Sequence, residues 1–386
     1  MNLKFNSAEL PTSTFACGPG QGHRDIRQTP LYKTLFERSH RADDISTHGI
    51  YAAAEKELRQ LLQIPNDYLL CFFPGGATPT LDAVTWSLSL QGVSGLAFGA
   101  FSDRWCYEIA EQIPNLKKDF KAPTSGSFFP LEKPDLNASL ILLTPNETSM
   151  GVQIPDDYLL DIWKHKGADT LVAWDCTSCA GGRLFPPVAY DVMAFGLQKC
   201  FGAGGGTSAL ILSPCAVKRI NEVRKMRQIP YSLDLFYAVE NAYKAQTINT
   251  PSTINIWMCW QAARWMNEHG GLAAMDKLCH AHADYLIDWA TKTDWVRPLI
   301  SDEKFRSYTT VTLQITAPRI SAQALNQALA DTGLPNLQDG IKKYATAPEN
   351  SLRIACFPFV DTEGTDQYKK LTYILDEIVY QLRQIK

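Results

Sequence analysis

Asp175 and Lys199 are the residues whose types and setting point most directly to chemistry. Asp175 closes an apolar run, Leu171-Val172-Ala173-Trp174. Lys199 follows a second, Val192-Met193-Ala194-Phe195, and leads into the glycine-rich stretch Gly202-Ala203-Gly204-Gly205-Gly206. A carboxylate at the end of one buried strand and a lysine just past the next are what pyridoxal phosphate (PLP) requires. The amine holds the cofactor aldehyde as a Schiff base. The carboxylate keeps the pyridine nitrogen protonated, so that the ring can take up an electron pair. By residue type alone, a lysine after a strand is a solvated loop residue. The surrounding pattern has to decide between the two readings.

That pattern contains a place for a phosphate. Pro74-Gly75-Gly76-Ala77-Thr78-Pro79 lies between a predicted strand and a predicted helix. Thr78 suits an N-cap and Pro79 the first helical turn, and a helix N-terminus offers free N–H groups to an anion. The same residues also make a plain Gly-Gly turn. Trp105 follows a short apolar run, where an indole either stacks on a flat ring or packs in the core. Pro145-Asn146-Glu147-Thr148 ends the run Leu140–Leu143; polar residues at a strand's carboxyl end face the crevice where α/β sheets bind ligands. Arg353, inside Leu352-Arg353-Ile354-Ala355, needs a fixed anionic partner, which is either a substrate carboxylate or a buried structural acid.

The elements that must position these residues alternate. Apolar runs at Tyr68–Phe73, Leu96–Phe98, Leu140–Leu143, Leu171–Trp174, Val192–Phe195 and Ala209–Leu212 predict strands. Helical periodicity covers 49–64, Pro79–Leu90, Asp103–Gln112, Asp156–Lys164 and Pro214 to Arg227. This implies an α/β fold with a mostly parallel sheet covered on both faces. After about residue 255 the pattern changes to long helices (Ile256–Glu268, Leu272–Thr291), strands at Tyr308–Ile315 and Leu352–Cys356, and an amphipathic helix over 365–385. The expected division is an N-terminal segment, 1–45, packing with the small domain; a cofactor-binding large domain, 46–255; and a small C-terminal α/β domain, 256–386. The cleft between domains is the expected ligand site.

Composition narrows the function class. With 386 residues, 45% hydrophobic and 20% charged, the chain is long enough for two domains and a sizeable core. A net charge of −3 offers no basic field for nucleic acid. Met1 to Leu10 has no apolar core of an export signal, and no apolar run reaches the ~20 residues of a membrane span. A cytoplasmic protein is expected. Its ten cysteines are scattered, which fits reduced, buried thiols. Cys176-Thr177-Ser178-Cys179 is a CxxC with no second pair to complete a zinc site, and the seven histidines form no HExxH. No metal is expected.

The ordered set of motifs resembles the phosphoserine aminotransferase family of fold-type-I PLP enzymes, over almost the whole chain. Phe15-Ala16-Cys17-Gly18-Pro19-Gly20 is similar to the family's opening SSGP, Ser39-His40-Arg41 to its SHR, and Pro145-Asn146-Glu147-Thr148 to its PNET. Asp175 to Ser178, Gln198-Lys199, Asn249-Thr250-Pro251 and Leu352-Arg353 follow in the expected order. Thr247 to Ser252 and Ala290 to Trp295 look most like a divergent branch of some bacteria and methanogenic archaea. The resemblance implies a large domain with a seven-stranded sheet and a smaller C-terminal domain. It implies that Lys199 carries the Schiff base, Asp175 pairs with the pyridine nitrogen, Trp105 stacks on the ring and Thr148 contacts its hydroxyl. Ala77, Thr78, Ser178 and Gln198 would hold the cofactor phosphate, joined by Asn249 and Thr250 from the second subunit of a homodimer. Arg353 would bind the substrate carboxylate, and His40 and Arg41 the substrate phosphate.

The implied reaction converts 3-phosphohydroxypyruvate and glutamate to phosphoserine and 2-oxoglutarate, in serine biosynthesis. Two departures bear on it. Thr78 stands where the commoner branch, with GGGRG, has Arg; the divergent branch shares this. Lys342-Lys343-Tyr344-Ala345-Thr346-Ala347-Pro348 lacks the commoner branch's His-Arg pair, and Lys has no bidentate fork. The alternative is a PLP-dependent transaminase or lyase of the same fold acting on a different amino acid.

Overall fold

The computed structural model describes Phe15 and residues 49–124, 127–130, 132–186, 188–332, 341–344 and 346–384. Among these, seven strands form one sheet. They are β1 (Leu69–Pro74), β2 (Gly92–Leu96), β3 (Lys117–Lys121), β4 (Leu140–Leu143), β7 (Leu171–Asp175), β8 (Val192–Gly196) and β9 (Thr207–Leu212). The short pair β5 (Asn146–Glu147) and β6 (Val152–Gln153) stands apart. The large sheet runs β1-β9-β8-β7-β4-β2-β3. It is parallel from β8 through β3, while β9 is antiparallel to both of its neighbours, β8 and β1. The carboxyl ends of β1, β2, β4, β7 and β8 therefore share one edge, where ligands sit in folds of this kind.

The strand sequences read as unbroken apolar runs because both faces are covered. Alternation still sorts the side chains. Ile141, Leu143, Val172, Trp174, Met193 and Phe195 enter one core, and Leu140, Leu142, Leu171, Ala173, Val192 and Ala194 enter the other. Each fully buried aliphatic side chain contributes roughly 1.5–3 kcal/mol. The helix Ile50–Leu62 closes the first core with Ile50, Tyr51, Ala54, Leu58 and Leu61, and the Tyr51 hydroxyl donates to the Leu70 carbonyl at 3.0 Å. The helix Ala77–Leu88 covers the second core.

A second sheet holds β10 (Val296–Pro298), β11 (Thr310–Ile315) and β12 (Ser351–Ala355), all antiparallel. It packs on the helices Gly271–Lys292, Ala322–Asp331 and Asp366–Gln384. Phe15 joins this core, accepting from the Ala355 N–H at 3.2 Å and meeting the Tyr368 ring edge-on at 5.4 Å. A division at 255 cuts the helix Thr253–Glu268, whose Ile256, Trp257, Cys259, Ala262, Ala263 and Met266 lie in the core of the large sheet. That helix belongs to the large unit. Its N-terminus also ties down the glycine stretch, since Asn255 donates to the Gly205 carbonyl at 2.7 Å.

Two strands escape the apolar pattern. β3 is Lys-Lys-Asp-Phe-Lys on the sheet's edge, where charged side chains block pairing with another strand. β10 is three residues long.

Candidate active site

Asp175 ends β7, and Lys199 lies in the turn after β8, where the Gly202 N–H closes on the Lys199 carbonyl at 2.9 Å. Both line a cavity of about 230 Å³ at the carboxyl edge of the sheet. Both are buried, Lys199 with 8% of its surface exposed. Ala77, Thr78, Thr148, Ser178 and Gln198 line the same cavity.

One end of the cavity is built for an anion. Gly75 has φ +93° and Gly76 φ +77°. A Cβ on Gly75 would sit 2.8 Å from the Pro79 ring, so the turn demands glycine. The Gly75 N–H bonds the Gly206 carbonyl at 2.9 Å. The helix starts at Ala77 with Gly76 as its N-cap, and no side chain caps it. Thr78 is therefore not the cap that its residue type suggests. It lies in the first turn and faces the cavity. The uncapped first-turn N–H groups remain for a phosphate. Ser178 is held by Asn146, whose amide donates to Ser178 Oγ at 2.7 Å. Gln198 also lines the cavity; its Oε1 is buried without a hydrogen bond and, being an acceptor, calls for a donor and not for a phosphate oxygen.

At the other end, both hydrogen bonds to Asp175 fall on Oδ1, from the Thr177 N–H at 3.0 Å and the Thr177 hydroxyl at 2.5 Å. Burial pushes the Asp175 carboxyl up to about 6; the Thr177 bonds and the Lys199 ammonium pull against burial, and Glu147 adds to it. A carboxylate desolvated in this way calls for a cationic partner. Sequence reasoning gave Thr177 no role, because it read this segment as a CxxC. Both thiols are buried, and burial pushes Cys176 well above the ordinary thiol range.

Trp105 does not line the cavity. It is 1% exposed in the core under the sheet, and its Nε1–H donates to Thr85 Oγ1 at 2.9 Å. The aromatic side chain on the cavity wall is Phe101, one helical turn earlier. Its ring lies 5.9 Å from Lys199 Nζ. The two aromatics are four residues apart on one helical stretch, Ala100–Asp103 continuing into a π-helical turn, Arg104–Ile109. Spacing shows that they share a face and does not show which one meets the ligand. Arg104, which sequence reasoning also passed over, lines the cavity beside Phe101.

Glu147 sets the position of Phe101. It is fully buried, and its Oε2 accepts from the Phe101 N–H (3.2 Å), the Ser102 N–H (2.8 Å) and the Ser102 hydroxyl (2.8 Å). Its Oε1 accepts from the Ser149 N–H (3.0 Å) and hydroxyl (2.6 Å). A carboxylate at a helix N-terminus gains from the free N–H groups and the dipole. A Cβ on Gly99 would stand 2.4 Å from Glu147 Cγ, so only glycine lets the carboxylate in.

Arg353 sits on β12, and its Nε and Nη1 are buried with no hydrogen-bond partner. Its guanidinium lies 5.1 Å from the Tyr344 ring, and the Tyr344 ring is 4.9 Å from that of Phe101. The small sheet thus reaches the cavity wall through an aromatic pair. Asn249 and Thr250 lie elsewhere. They are exposed and line a neighbouring depression that shares Gly206 with the cavity. His40 and Arg41 lie outside the described residues. Among those residues, no group of three or more His, Cys, Asp or Glu side chains could hold a metal.

The profile of the class-V aminotransferases matches residues 132–335. The chain belongs to this family. The phosphoserine aminotransferase of Corynebacterium glutamicum (strain R) is 29% identical over 369 residues, covering 95% of this chain and 94% of that one. That of Rhodococcus opacus (strain B4) is 29% identical over 372 residues, covering 95% of each. Among solved structures, a phosphoserine aminotransferase from Cytophaga hutchinsonii superposes with a TM-score of 0.83 at 24% identity, covering 95% of this chain and 98% of that one. That from Bacillus circulans subsp. alkalophilus gives 0.75 at 19% identity, covering 97% and 99%. These likenesses show the fold.

This class-V aminotransferase is a PLP-dependent enzyme, and its cavity fits the cofactor on its own terms. An uncapped helix N-terminus suits a phosphate end, while a desolvated acid suits a protonated ring nitrogen. Lys199 lines the same cavity.

Two outcomes follow. In the cofactor-free protein the fold favours neutral Asp175. That contribution is complete below the ordinary value of 3.8 and is lost as pH rises through about 6. Relative to Asp175→Asn, the apo wild type should lose up to about 3 kcal/mol of unfolding free energy from about pH 4 to about pH 7. Urea titrations across pH measure this, and parallel stability curves would count against the burial argument. Phe101→Leu should weaken PLP affinity about tenfold at an unchanged unfolding midpoint. Trp105→Phe should cost about 1 kcal/mol of stability and leave that affinity alone. The reverse pattern would restore Trp105 as the stacking residue.

Proposed function

We propose that this enzyme is a phosphoserine:2-oxoglutarate aminotransferase, making phosphoserine from 3-phosphohydroxypyruvate and glutamate in serine biosynthesis, as a cytoplasmic homodimer. The observation that carries the reading is Arg353. It is a half-buried guanidinium with two orphaned N–H donors, tied through Tyr344 to the aromatic wall of the cofactor cavity. Such a fork awaits a carboxylate. Relatives that carry the phosphoserine aminotransferase name over 95% of the chain support the substrate class.

When bound, PLP supplies a ring that accepts the electron pair of the substrate Cα–H bond. Lys199 Nζ moves the proton, taking it from the substrate α-carbon and returning it to the cofactor side as general acid/base. Asp175 would hold the proton on the pyridine nitrogen, Phe101 would cover the ring and Thr148 would contact its hydroxyl. Arg353 fixes the α-carboxylate, and His40 and Arg41 bind the substrate phosphate. Asn249 and Thr250 reach the cofactor phosphate of the second subunit; their exposure on a loop beside the cavity supports that placement.

One observation favours the second reading, a transaminase or lyase acting on another amino acid. Lys343, in the stretch that lacks the His-Arg pair, is paired with Glu349 at 2.8 Å, and it lines a different depression on the small unit.

Lys199→Ala should abolish turnover and leave a folded protein that still takes up PLP; a near-wild-type rate would end the mechanism. Arg41→Ala separates the two readings. A rise in the phosphoserine KM of about tenfold or more supports the phosphorylated substrate, and unchanged phosphoserine binding removes Arg41 as its ligand and favours the second reading.

A further inference from the structure

Among the described residues that line the cofactor cavity, Lys199 and Arg104 carry the positive charges. Lys199 is engaged in the chemistry. Arg104 has no part in it, yet it stands on the wall with its guanidinium 6.0 Å from the Phe101 ring, while Lys199 Nζ lies 5.9 Å from the same ring. Arg353 connects to that ring through Tyr344. Two guanidinium groups thus adjoin one aromatic pair, Arg104 at Phe101 and Arg353 at Tyr344.

The local setting of Arg104 is that of a cation waiting for a stronger partner. Among the described residues its ion pair is with Glu108 at 3.6 Å, and that carboxylate is 72% exposed. A pair of this length and exposure contributes little and is readily exchanged. The Arg104 side chain is itself 35% exposed, so a ligand entering from solvent meets it without a desolvation barrier like that of a buried ion. Glu147 fixes the backbone at Phe101 and Ser102, which holds the start of the π-helical turn and hence the root of Arg104. π-helical turns of this kind recur at functional sites because they redirect side chains.

Resting on the phosphoserine reading above, we propose that Arg104 is a specificity residue that binds the distal phosphate of the substrate, opposite the carboxylate held by Arg353. The cofactor phosphate already has the uncapped helix at Ala77, so it needs no further cation. A substrate dianion does, and beside the proposed His40 and Arg41 neither Thr78 nor the Lys342–Pro348 stretch adds an arginine for it. A guanidinium suits a phosphate through paired N–H donors.

The test uses PLP-loaded enzyme and two unreactive acids, 3-phosphoglycerate and glycerate, with binding read by titration calorimetry. Wild type should bind the phosphorylated acid more tightly. Arg104→Ala should weaken 3-phosphoglycerate binding about tenfold or more, with glycerate and PLP affinities unchanged within about threefold, and Arg104→Lys should recover part of the loss. If Arg104→Ala loses PLP instead, or keeps its 3-phosphoglycerate affinity, the assignment is overturned. If wild type itself fails to distinguish the two acids and does not convert phosphoserine, the phosphoserine reading falls and takes this assignment with it.

Discussion

A buried carboxylate that the protein alone does not neutralise governs this site. Asp175 ends a strand in which all five residues are buried, and its two hydrogen bonds from Thr177 do not offset desolvation. The fold holds a charge where water cannot stabilise it. In the proposed function a protonated ring nitrogen would close this electrostatic gap, and the same carboxylate would maintain the ring's ability to take electrons. Stability and chemistry are therefore coupled at one residue, and the cofactor completes the interior as well as the active site.

Glu147 solves the complementary problem. Five hydrogen bonds satisfy it, and all come from two short segments, Phe101-Ser102 and Ser149. It is a cap for one helix and a staple between the β4 exit and the cavity wall. Ser149 extends the link, since Thr346 of the small unit bonds its hydroxyl at 3.1 Å. Phe101, Tyr344 and Arg353 continue it. The carboxyl edge of the large sheet and the end of β12 are thus held in one network of short contacts. This is how an arginine on a second sheet can be positioned against a lysine on the first.

Much of this was legible before any coordinates. Unbroken apolar runs located β4, β7 and β8 within a residue or so, because fully buried strands leave an apolar signature. β3 left none, since an edge strand carries lysines for solubility. The buried acid and lysine that share the cavity, Asp175 and Lys199, were legible because each follows an apolar run. The helix start at Ala77 was not, because a Gly-Gly turn with positive φ replaced the side-chain cap that Thr78 suggested. Trp105 was misread for a different reason. Two aromatics one turn apart look alike in sequence, and only the packing of the π-helical turn sends the indole to Thr85 and the phenyl ring to the cavity. Glu147 looked like a ligand-facing polar residue and proved to be a buried support. The expected division at 255 falls within the helix Thr253–Glu268, which packs in the core of the large sheet, because a helix that follows a loop need not join a new core.

The central claim is that Asp175, Lys199 and Arg353 form one transaminating site selective for a phosphorylated amino acid. The most direct measurement is the absorbance spectrum of the purified, PLP-loaded protein before and after L-phosphoserine, with L-glutamate and L-serine in parallel. Conversion of the lysine-bound cofactor band to the amine form by phosphoserine and glutamate, and not by serine, is the predicted result. A lysine-bound band that phosphoserine leaves untouched would contradict the claim and point to another amino donor for the same cofactor site.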